Sequence, residues 1–99
     1  MNQLVFSPAA VRQFKRLPAA ARSLLKDALR EQLGEQDPTE GTRNRFRLRR
    51  ISEFAEYELR VEPWRVFYRV QGNVVTIELI GQKKGNVLLS GWYNLGELL

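Results

Sequence analysis

The chain has no cysteine and no histidine. Without cysteine there is no disulfide and no thiolate metal site, which fits a reducing compartment; a cytoplasmic location is expected. Without histidine the commonest general acid–base and metal ligand is missing, so neither a resident metal nor another cofactor is expected. No apolar run approaches the ~18–20 residues of a membrane span. The first residues, Met1 to Phe6, carry neither a basic lead nor a long apolar segment, so no signal peptide is expected. There is no internal repeat and no low-complexity segment.

What is present is one domain's worth of core and a surplus of arginine. Ninety-nine residues, 43% of them hydrophobic, make a single domain over residues 1–99. The net charge is +5, and 12 of the 16 basic residues are arginine. Eight of these arginines fall between Arg43 and Arg69, against four acids. Arginine offers a planar fork suited to phosphate and carboxylate. A basic patch clustered in this way is a footprint of nucleic acid or of an acidic protein partner.

Leu4-Val5-Phe6 reads as a short strand. Ser7 is a suitable N-cap with Pro8 at the first helical position, and Val11, Phe14 and Leu17 recur at helical spacing up to about Arg16. Pro18 opens a second helix with an apolar stripe of Ala21, Leu24, Leu25, Ala28 and Leu33, and Gly34 is expected to stop it. Residues 35–44 read as a loop. Arg45 to Arg49 alternates as a short strand or an extended lead-in, and its arginines, with Arg43 and Arg50, are dense enough to track a nucleic-acid backbone or meet a protein partner.

From Glu56 to Val70 two runs alternate strictly between apolar and polar residues about Glu62-Pro63. A two-residue turn there pairs Val61 with Trp64, Arg60 with Arg65, Glu58 with Phe67 and Glu56 with Arg69. One face is then apolar, with Tyr57, Leu59, Val66 and Tyr68. The other gathers charge around Phe67, an aromatic between Arg65 and Arg69 that is placed to stack on a base. Like charges directly opposite destabilise a sheet, so Arg60 and Arg65 require compensating acids or an anionic partner. Gly72-Asn73 turns the chain into a strand from Val74 to Ile80, which is expected to put Val75, Ile77 and Leu79 on the apolar face and Thr76 and Glu78 on the charged one. The tail holds Leu88, Leu89, Trp92, Tyr93, Leu95, Leu98 and Leu99 and should dock on the core or on a partner. The expected architecture is α+β: an N-terminal helical hairpin packed on one face of a small antiparallel sheet, with the charged face open.

The order of these pieces resembles the RelE/ParE toxin superfamily. The features that carry the resemblance are Lys15-Arg16-Leu17-Pro18 between the helices, Arg47-Leu48-Arg49, Glu58-Leu59-Arg60-Val61, Trp64-Arg65-Val66-Phe67-Tyr68, and Ile80-Gly81-Gln82-Lys83-Lys84. The resemblance implies a toxin of a type II toxin–antitoxin pair, bound in a hetero-oligomer and neutralised by a cognate antitoxin. RelE-like members cut messenger RNA, typically on the ribosome, without a metal. ParE-like members inhibit DNA gyrase and cut nothing. A third possibility is a toxin-like binding protein that has lost its activity. Carried onto this chain, the ribonuclease pattern places Arg65, Lys83 and Arg60 as catalytic residues. Arg47, Arg49, Phe67, Arg69 and Lys84 become RNA-binding residues. Glu56 and Glu58 stand where the ribonuclease type has lysines.

Overall fold

The computed structural model describes residues 1–49, 54–84, 87–90 and 93–94. A strand β1 (Gln3–Phe6) leads into helix α1 (Pro8–Lys15) and helix α2 (Ala19–Leu29), which continues as a π-helical stretch over Arg30–Glu35. The strands β2 (Arg45–Arg47), β3 (Tyr57–Val61), β4 (Trp64–Gln71), β5 (Val74–Lys84), β6 (Val87–Ser90) and β7 (Tyr93–Asn94) follow. Neighbours pair antiparallel in the order β2-β3-β4-β5-β6-β7. β1 lies parallel to β5, so the sheet is mixed at that one pair. The helical hairpin covers one face, as the alternating pattern requires.

The helix ends follow their chemistry. Ser7 Oγ accepts from the Ala10 N–H at 3.0 Å, and Pro8 opens α1. Arg22 Nη1 donates to the Leu17 carbonyl at 2.8 Å and so ties the start of α2 to the end of α1. The line that α2 buries is Ala21, Leu25 and Leu29, continued by Leu33; Leu24, expected in this stripe, is exposed. Gly34 does not end the helix in a left-handed turn; among the described glycines only Gly72 has a positive φ. Asn2 closes the helix instead. Its backbone N–H donates to Gly34 O, and its Nδ2 donates to Leu33 O and Gln36 O.

The β3–β4 register runs from Tyr57 opposite Tyr68 to Val61 opposite Trp64, with Glu62-Pro63 as the turn. Helix residues Ala10, Leu25, Leu29 and Leu33 pack on Leu59, Val66, Tyr68, Val75 and Ile77. Burying such side chains stabilises by about 1.5–3 kcal/mol each. Tyr57 and Tyr68 stack at 5.4 Å, and Tyr68 donates its hydroxyl to Pro38 O at 2.6 Å.

The β4–β5 pairing departs from simple alternation. Tyr68 faces Ile77 but Phe67 faces Leu79, so Glu78 is an extra residue. This bulge reverses the two faces beyond it. Leu79 therefore leaves the helix-covered face, and Ile80 takes its place in the main core. Leu79 joins Phe67 and Ala55 in a second apolar cluster, flanked by Ala9 and Leu48. The outer face is thus partly sealed rather than open. β5 also runs to Lys84, and β6 and β7 extend the sheet beyond it. The docking expected of Trp92, Leu95, Leu98 and Leu99 lies outside the described residues, as do the side chains of Leu88, Leu89 and Tyr93.

Candidate functional site at the end of the outer sheet face

Arg60 on β3 and Arg65 on β4 face each other across the hairpin. Gly81 on β5 is next in line, opposite Arg65. Two residues on, Lys83 returns to the same face, and its backbone N–H donates to Pro63 O at 2.9 Å. Adjacent strands lie about 4.8 Å apart, so three cationic residues from three strands gather at the turn end of the sheet. The bulge makes this possible. With uninterrupted alternation from Ile77, Lys83 would lie on the helix-covered face.

The arginines are not presented as bare charge. Glu58 lies between them, 2.9 Å from Arg60 Nε and 3.6 Å from Arg65 Nε. Arg65 also donates to Glu62 Oε1 at 3.1 Å and to the Trp64 carbonyl at 3.0 Å. Its side chain is 3% exposed, against 76% for Glu62. A buried arginine held by two carboxylates resolves the like-charge opposition with Arg60. Arg60 remains accessible, its guanidinium 4.8 Å from the centre of the Phe46 ring. Lys83 is exposed. The accessible edge of the cluster is therefore Arg60, Glu62 and Lys83, with Arg65 beneath. Two concavities, one along α2 beside Phe14 and one beside Asn2 and Asp37, lie away from it.

A family model described as the ParE toxin of the type II toxin–antitoxin system parDE matches residues 4–86. The chain belongs to this family of toxins. Among solved structures, the isolated RelE toxin of E. coli superposes with a TM-score of 0.60 at 20% identity, covering 85% of this chain and 86% of that one. At that identity the likeness is one of fold: two N-terminal helices on a mixed sheet. No curated protein matches the chain. Membership of a type II system implies an antitoxin partner for this toxin.

Several expected site residues of the toxin are placed differently by the fold. Phe67 is fully buried in the second cluster, closed in with Leu79 and Ala55, so its ring has no free face for a base. Arg69 meets Glu78 at 3.5 Å, and Glu56 instead accepts from the Val70 N–H at 3.3 Å. Arg45 is buried on the helix side, where it donates to Gln32 O, Gln36 Oε1 and Glu40 O. It therefore contributes no contact surface. Arg47 and Arg49 are exposed, with Arg47 5.8 Å from the Tyr57 ring centre. Arg50 and the side chain of Lys84 lie outside the described residues. Alternation did not single out Glu62, because a turn residue belongs to neither face.

Proposed function

We propose that this toxin is a RelE-like, metal-independent endoribonuclease acting on messenger RNA, with the scissile phosphate bound over Arg60, Arg65 and Lys83. The observation that carries the reading is the meeting of these three residues, from three strands, at one end of one face. The chemistry they suit is attack of a ribose 2′-oxygen on the adjacent phosphorus. A P–O2′ bond forms and the P–O5′ bond breaks. The 2′-hydroxyl proton passes to the Glu62 carboxylate, and the leaving 5′-oxygen takes a proton from the Lys83 ammonium. The products are a 2′,3′-cyclic phosphate and a 5′-hydroxyl end. Arg60 and Arg65 stabilise the charge that builds on the phosphoryl oxygens. The reaction runs in the cytoplasm, on RNA held by the ribosome, until the antitoxin covers the face.

A second reading, a ParE-like protein that inhibits DNA gyrase without catalysis, is favoured by one observation. Arg65 is buried and already neutralised by Glu58 and Glu62, so RNA must displace Glu62 before the full clamp is available. Induction of the lone chain in growing bacteria separates the two, with RNA ends mapped and plasmid supercoiling read from the same culture. The ribonuclease reading expects growth arrest with new RNA ends that vanish in the exposed-site variant Lys83→Ala. Arrest with intact RNA and altered supercoiling transfers the function to gyrase. Unimpaired growth leaves a toxin fold kept for binding alone.

A further inference from the structure

The bulge that brings Lys83 to the outer face lies between the stretches of β5 that pair with β1 and with β6. β1 pairs with β5 as far as Ile77, and β6 begins to pair at Gln82. Between these points the β5 edge away from β4 has no strand beside it among the described residues, and Glu78 has no partner on β4 either. A bulge leaves backbone groups unpaired, and buried unpaired groups are disfavoured.

Helix α1 supplies partners along this stretch. Ser7 Oγ, already the cap of the helix, donates to Glu78 O at 2.8 Å, and the Ser7 N–H donates to Ile77 O at 2.8 Å. Two turns along the helix, Gln13 Oε1 accepts from the Ile80 N–H at 2.7 Å. Ile80 is 2% exposed, so water is not a ready substitute.

We infer that Ser7 and Gln13 are positioning residues: they hold the extra residue at Glu78 and so fix Lys83 on the same face as Arg60 and Arg65. The inference rests on the reading of that face as the site of action. The helical hairpin then serves not only as the cover of the core but also as the clamp that sets which side of β5 faces the target. Gln13 is the cleaner handle, since Ser7 also caps α1. Glutamate at position 13 keeps the acceptor; alanine removes it. Deleting Glu78 removes the extra residue while leaving every other cross-strand pair in place, so the face of Lys83 no longer depends on Gln13.

The test is cross-strand nuclear Overhauser contacts in the full chain, read beside growth arrest on induction. Gln13→Ala is expected to lose the Val66–Ile80 and Arg65–Gly81 contacts and to weaken arrest at least tenfold. Gln13→Glu is expected to retain both. With Glu78 deleted, Gln13→Ala should leave the contacts intact, which separates loss of register from loss of folding. Persistence of the native contacts in Gln13→Ala alone overturns the clamp. Shifted contacts with undiminished arrest overturn the reading of the face on which it rests.

Discussion

Glu62 holds Arg65 at 3.1 Å, yet the two residues live in different surroundings: the carboxylate is 76% exposed and the guanidinium 3%. The exposed partner is the one an incoming anion can displace. A phosphate approaching Arg65 from solvent meets Glu62 first, and a like charge at that spot repels it. Glu62→Gln keeps a hydrogen-bond acceptor and removes the charge. Affinity for a short single-stranded RNA, read by fluorescence anisotropy, should therefore rise about tenfold, or ~1.4 kcal/mol. Cleavage of the same RNA should fall at least ~100-fold, because the proton acceptor is lost. Unchanged affinity would show that RNA does not reach Arg65.

Arg45 makes the opposite case, an arginine whose work is structural. Its guanidinium is buried and donates to Gln32 O, Gln36 Oε1 and Glu40 O, so it joins the end of the π-helical stretch to the loop before β2. Removing it leaves three part-buried acceptors to find water and empties the buried space the side chain fills. Arg45→Ala should cost about 2–3 kcal/mol of folding stability. Arg43→Ala, at an exposed position nearby, should stay within ~0.5 kcal/mol. Urea denaturation midpoints compare the two directly.

Tyr68 predicts an alkaline limit to stability. Burial pushes its phenol pKa up, with Arg45 opposing, and the hydroxyl donates to Pro38 O at 2.6 Å. The native state thus holds this proton more tightly than the unfolded chain, where tyrosine ionises near ~10. The stability from this site is complete below about pH 10 and is lost as pH rises from there toward the higher folded value. Tyr68→Phe should cost about 1–2 kcal/mol at neutral pH by leaving Pro38 O unpaired. Thermal melts across pH 9–11 should show a shallower loss in the variant than in the parent chain.

The hairpin was legible because both of its strands alternate without interruption, so the period of two fixed Arg60 opposite Arg65 and Leu59 opposite Val66. The first helix was legible from Ser7 and Pro8, whose roles are local. The bulge was not. Glu78-Leu79-Ile80 reads as one more polar–apolar step followed by a second apolar residue, and either of the last two could face the core. What decides is tertiary: Ser7 and Gln13, 71 and 67 residues away along the chain, satisfy the backbone there. The same distance effect hid Arg45, which composition groups with its exposed neighbours Arg43, Arg47 and Arg49. Family membership could be read from the order of motifs, whereas the pairing state of Arg65 needed the turn geometry of Glu62.

Phe67 gives the sharpest test of that difference between pattern and packing. Its position between Arg65 and Arg69 on an alternating strand marks it as a stacking platform, but it is fully buried against Leu79 and Ala55. A residue in that setting contributes through packing: Phe67→Ala should cost about 3–5 kcal/mol, and Phe67→Leu distinctly less because it refills most of the space. RNA affinity of the folded Phe67→Leu protein should match the parent within twofold, whereas loss of an exposed stacking ring costs about 1–3 kcal/mol per base. Measuring urea stability and RNA anisotropy on the same Phe67→Leu sample decides between them. A stable variant with more than tenfold weaker RNA binding would mean that the cluster over Phe67 opens when the target binds.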